Sequence, residues 1–141
     1  MDIDAAIAQI ARVLRPGGAF VVEDSVVPDD PALDRFLNDA EKIRDATHVR
    51  SLTAQEWRAK LAAAGLEPAE WTTCPKEHDI ADWIARSGLD DAGSARVYEA
   101  FSLASADARR QFSIVVEGDR ATSFTDEKVI VRAEKAGAPH R

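Results

Sequence analysis

The chain has 141 residues, of which 45% are hydrophobic and 30% charged, with a formal net charge of -7. That length supports one domain with a modest core, and the acidic balance argues against a nucleic-acid backbone or an anionic membrane as partner, since both need clustered Lys and Arg. No apolar run approaches the roughly 20 residues that span a bilayer, the acidic amphipathic start is not expected to act as a signal peptide, and a single cysteine, Cys74, leaves no intramolecular disulfide, so a cytoplasmic protein is the expectation.

Ile3, Ile7, Ile10 and Leu14 recur at the spacing of one helix face. Pro16 stops that helix and Gly17-Gly18 permits a sharp turn. Ala19 to Val22 then runs apolar without alternation, which predicts a strand buried on both faces, as in the centre of a parallel sheet. Glu23 and Asp24 are expected to close it. Asp30 is placed to cap the next helix with Pro31 in its first turn, and Leu33, Phe36, Leu37, Ala40 and Ile43 make its buried stripe. Thr53 and Glu56 form a capping box, Leu52 and Trp57 can close a hydrophobic staple around it, and Gly65 is the expected left-handed C-terminal residue.

Glu67 to Cys74 reads as a second strand ended by Pro75. Asp79 can cap a short helix carrying Ile80, Trp83 and Ile84. A further helix is predicted from Asp90 to about Ala104, anchored by Val97, Phe101 and Leu103, and Ser105 caps a last turn through Arg110. A hairpin follows around Gly118-Asp119, with Thr122 to Phe124 as its return, and Glu127 to about Ala133 is a final strand. Residues 1–135 are thus expected to form a single α/β domain with a frayed tail over 136–141.

Two motifs carry a resemblance. Leu14 to Gly18, L-R-P-G-G, joins a helix to a strand, and Ser51 to Leu66, S-L-T-A-Q-E-W-R-A-K-L-A-A-A-G-L, opens a capped helix before another strand. Together they resemble the C-terminal half of a class I S-adenosylmethionine-dependent methyltransferase, of the branch that includes the ubiquinone and menaquinone biosynthesis methyltransferases. The resemblance implies a partial Rossmann-like methyltransferase sheet, the fifth to seventh strands with flanking helices, with the first half of the fold missing. That half would carry the glycine-rich G-x-G loop and the acidic residue on the ribose. The seven glycines here include no G-x-G. S-adenosylmethionine is therefore the cofactor implied for the complete fold, while the isolated chain is expected to supply no cofactor-binding residue and to bind none tightly.

Methyl transfer requires the acceptor to be held in line with the methyl group and, for some acceptors, a base. His48, in the loop Asp45 to Ser51, is the candidate base, since imidazole can take a proton near neutral pH. Asp24, at the expected end of its strand, Arg50, beside His48, and Trp83, on a helix that the resemblance places over the acceptor, are the candidate substrate-binding residues. Arg44 flanks the same loop. His78 beside Glu77 and Asp79 superficially suggests a metal, but adjacent residues seldom converge on one ion, so no metal site is expected. An acceptor-side methyltransferase segment is the first reading. The alternatives are a non-catalytic self-associating module and a subunit whose cofactor half is on another chain. The unpaired edge of Phe20 to Val22 predicts a homodimer, or pairing with the missing half.

Overall fold

The computed structural model describes residues 2–137. They fall into two compact units, one built from residues up to Val26 with Leu52–Cys74 and the chain from Lys128 onward, the other from Val27–Ser51 and Pro75–Glu127.

In the first unit, α1 (Ile3–Val13) begins where the Asp2 carboxylate accepts from the Asp4 and Ala5 N–H groups. Its C-terminus is closed by Lys135, whose Nζ donates to Ala11 O at 2.6 Å and Leu14 O at 2.9 Å, a cation placed against the orphan carbonyls of a helix end. Gly17, at φ +80°, makes the turn into β1 (Ala19–Val26). α3 (Ala54–Ala63) starts with the complete capping box: Glu56 N–H donates to Thr53 Oγ1 at 3.1 Å and Thr53 N–H donates to Glu56 Oε2 at 2.8 Å. Leu52 and Trp57 are both buried, and Gly65 takes φ +75° before β2 (Leu66–Asp79). Trp57, Leu61 and Leu66 pack with Ile7 and with Val129, Val131 and Ala133, alternate residues of β4 (Arg120–Lys135).

The sheet order is β1-β4-β2. Gly17 N–H donates to Lys135 O and Lys135 N–H to Gly18 O, both at 2.9 Å, and further along Lys128 Nζ donates to Ser25 Oγ. β1 therefore runs antiparallel to β4. This corrects the parallel-centre reading of Ala19–Val22. The strand also does not close at Asp24 but continues to Val26, and its residues alternate in exposure, with Val21 at 61%. An unbroken apolar run fixes extended backbone but not which face is covered.

In the second unit, α2 (Pro31–Arg44) is capped by Asp30, with Pro31 in its first turn. Leu37 and Ala40 are buried, with Leu33, Phe36 and Ile43 packed beside them. α4 (Ile80–Ala85), α5 (Asp91–Ser102) and α6 (Ala106–Gln111) are capped by Asp79, Asp90 and Ser105. β3 (Val115–Glu117) pairs antiparallel with the start of β4 across Gly118-Asp119. The core here is aromatic: Phe101 stacks on Phe124 at 4.5 Å, Trp83 meets both edge-on, and Phe36 stacks on Phe112.

Three more expectations are corrected. β2 runs through Pro75 to Asp79. As an outer strand of the order it has one row of N–H groups facing away from a partner, where proline is tolerated. The hairpin return and the final strand are one continuous β4. α5 ends at Ser102, and Leu103 is 75% exposed rather than an anchor. Of the expected tail, Ala136 and Gly137 carry no regular structure and 138–141 lie outside the described residues. No helix among the described residues is long and apolar enough to cross a membrane.

Candidate functional site

The second unit holds three of the four sequence-predicted site residues, and two of them meet on one device. α2 presents Asp34 and Asn38 one helical turn apart, and the loop from Asp45 to Ser51 folds back on them. Arg50 donates to Asp34 Oδ2 at 2.8 Å. Asn38 Nδ2 donates to Asp34 Oδ1 at 2.8 Å and to Ser51 O at 3.2 Å, while its Oδ1 accepts from Ser51 N–H at 2.7 Å. His48 Nε2 lies 3.0 Å from the same Asn38 Oδ1. Lys42, on the next turn of the helix, donates to Ala46 O at 2.7 Å and His48 O at 3.1 Å. The loop is thus fixed by polar side chains rather than by an apolar core.

Its first turn is fixed by Asp45. The Thr47 hydroxyl at 2.6 Å, and then the Thr47 N–H at 2.9 Å, donate to one Asp45 carboxylate oxygen and hold that carboxyl below the usual carboxylate range. Hydrogen bonds to the charged form outweigh the small opposing effect of desolvation at this exposed site.

Trp83 lies inside the aromatic core, 3% exposed. Arg44 covers it: the guanidinium sits 4.5 Å over the indole ring, and Nε donates to Trp83 O at 2.8 Å. Asp24 belongs to the first unit, on β1, where its Oδ1 accepts from Ser25 N–H at 2.8 Å. The structure therefore joins His48 and Arg50 through α2, joins Arg44 to Trp83, and places Asp24 in the other unit.

One pair escaped the sequence reading. His78 and Asp126 are 8% and 3% exposed, and His78 Nε2 lies 2.9 Å from Asp126 Oδ1, with the imidazole stacked on Phe124 at 4.8 Å. His78 Nδ1 is buried without a partner. The two residues come from different strands far apart in sequence, so no local spacing announces them. Asn38 had a fainter signal: it stands four residues after Asp34 on the polar flank of a strongly patterned helix.

Comparison with known proteins sets this fold beside methyltransferases. Over 94% of its length the chain superimposes on 62% of BH2331 from Bacillus halodurans C-125, described as a putative methyltransferase, with a TM-score of 0.91 and 28% identity. YcgJ from Bacillus subtilis, named an uncharacterized methyltransferase, is 30% identical over 138 residues, which is 95% of this chain and 53% of YcgJ. Its crystal structure gives a TM-score of 0.87 over 97% of this chain and 59% of that one. YafE from Escherichia coli K12, an uncharacterized protein, is 31% identical over 96% of this chain and 63% of its own. The chain thus spans between about half and two thirds of the length of the relatives it matches. No protein-family model matches it.

The residues described do not fit an S-adenosylmethionine cradle. The positive-φ glycines Gly17, Gly65, Gly88 and Gly118 all lie in turns, and no glycine stands between the end of a strand and the start of a helix. The helix N-termini, which could otherwise receive a carboxylate or hydroxyl ligand, are each occupied by the chain's own Asp2, Asp30, Thr53, Asp79, Asp90 or Ser105.

Proposed function

We propose that this chain is the acceptor-side segment of a small-molecule S-adenosylmethionine-dependent methyltransferase. One observation carries the reading: nearly the whole chain fits about three fifths of BH2331 at a TM-score of 0.91. In this reading the cofactor belongs to the part of the fold outside the match; the reading is supported by the described residues, which hold no glycine loop between a strand and a helix. The chain alone then binds no cofactor tightly and is inactive. His48 is assigned to the acceptor's proton and Arg50 to an anionic group on the acceptor, and Trp83 to acceptor contact together with Arg44, which covers its ring. Asp24 is assigned to acceptor contact as a separate element, to be tested by its own substitution.

A second reading has its own support. β1 is an outer strand of the described order and carries an exposed valine, and such an edge pairs readily with another strand. The partner is the remainder of the fold or, in its absence, a second copy of this chain. In a self-associating or complementing protein the same edge is the interface.

The test is to join to this chain the portion of YcgJ outside the match and to assay transfer of labelled methyl to a panel of small-molecule acceptors. Transfer by the joined protein and none by the chain alone is the expected result. A folded joined protein that neither retains S-adenosylhomocysteine nor transfers methyl would overturn the reading.

A further inference from the structure

The hydrogen bonds around Asn38 admit one orientation of its amide. Asp34 Oδ1 and Ser51 O can only accept, and both face Nδ2, at 2.8 and 3.2 Å. Ser51 N–H can only donate, and it faces Oδ1 at 2.7 Å. Turning the amide over would set an oxygen against a carboxylate and a carbonyl, and an NH2 against an N–H, so three contacts would become repulsive at once. The atom that His48 Nε2 meets at 3.0 Å is therefore an acceptor. The imidazole nitrogen facing it must carry the proton, which leaves the lone pair of the neutral ring on Nδ1.

Nδ1 has no hydrogen-bond partner among the described residues, and it is not among the buried side-chain nitrogens left unsatisfied. It is therefore open to a ligand or to water. The ring itself is half-buried, and its backbone is held on both sides, His48 N–H donating to Asp45 O at 2.9 Å and His48 O accepting from Lys42. A histidine with one nitrogen committed to a fixed acceptor and the other available is the arrangement in which a second group sets which nitrogen acts as the base.

We propose that Asn38 is a positioning residue that holds His48 in the Nε2–H form, so that Nδ1 is the atom that takes a proton from the acceptor's hydroxyl, thiol or amine. The proton moves to Nδ1, its former bonding pair stays on the acceptor heteroatom, and the imidazolium that results keeps its Nε2–H bond to Asn38. Asp34 is part of the same device, since it anchors the amide through Oδ1 while Oδ2 holds Arg50. The role of the proton transfer rests on the methyltransferase reading. The tautomer does not, and the test below reads the tautomer without any methyl transfer.

The experiment is nitrogen-15 NMR of the histidine side chains in the 141-residue chain with His48 in its neutral form, in the wild type and in Asn38→Leu. In the wild type Nε2 is expected to appear as the protonated nitrogen with a slowly exchanging proton, and Nδ1 as the unprotonated one. Asn38→Leu should lose the slow exchange and give a mixture of both tautomers. Treatment with diethyl pyrocarbonate should acylate wild-type His48 at Nδ1. A proton on Nδ1 in the neutral wild type, or acylation at Nε2, would overturn the proposal. So would a folded Asn38→Leu protein with tautomer and exchange unchanged. If Asn38→Leu fails to fold, the wild-type spectrum and the acylation site still decide.

Discussion

Trp57 combines a large gain with a standing cost, and the two separate by substitution. The side chain is 3% exposed and packs in the core of the first unit with Leu52, Leu61 and Leu66. Its Nε1–H, however, is buried without an acceptor. Truncation to alanine removes the whole ring from a packed site, an effect of about 3–5 kcal/mol. Replacement by phenylalanine loses only part of that packing, about 2 kcal/mol on the same scale, and relieves a stranded donor worth about 1–3 kcal/mol. The two terms nearly cancel, so Trp57→Phe should lie within about 1 kcal/mol of wild type. Urea denaturation followed by far-ultraviolet circular dichroism checks this. With m near 2 kcal/mol/M, the alanine variant should lower the midpoint by on the order of 2 M and the phenylalanine variant by less than about 0.5 M. If Trp57→Phe proves as costly as Trp57→Ala, the donor is not stranded and the packing around α3 has been misread.

Thr53→Ala should cost about 1 kcal/mol through loss of the cap, clearly less than Trp57→Ala in the same denaturation series. Gly65→Ala forces a side chain into φ +75° and should cost about 1 kcal/mol, read as a shift in the urea midpoint without change of slope. Thr47→Val removes one of the bonds that lower the Asp45 carboxyl, so NMR titration should show that carboxyl moving up toward its ordinary value. The sign for stability follows: a lowered folded-state value gives stabilisation that is present above the unfolded value and lost as pH falls through the folded one, and Thr47→Val should flatten that acid-side loss. Light scattering of the chain at tens of micromolar should give a dimer through β1, and a charged residue at Val21 should give a monomer. A wild-type monomer would remove the free edge as an interface.

What the sequence made legible was local. α2 and α3 could be placed to within a residue because Asp30-Pro31 and the Thr53/Glu56 box are signals that act within one turn. The gross family resemblance rested on two such local stretches. What it hid was set by partners. Pro75 looks like a stop until β2 is known to be an outer strand, and Val21 looks buried until the cover of its face is known. The His48–Asn38 contact joins a loop to a helix whose polar flank carries no motif. His78 and Asp126 meet only because β2 and β4 are both longer than their apolar runs. In each case the deciding contact lies across the sheet or between loop and helix, where a period of two or 3.6 residues carries no information.

The measurement that bears most directly on the central claim is calorimetric titration of S-adenosylhomocysteine into two samples: this chain alone, and the same chain joined to the portion of YcgJ outside the match. An acceptor-side segment without its cofactor half should show no binding alone and a dissociation constant in the micromolar range, about -8 kcal/mol, when joined. Micromolar binding by the chain alone would contradict the account, because it would require a cofactor cradle built from the residues described.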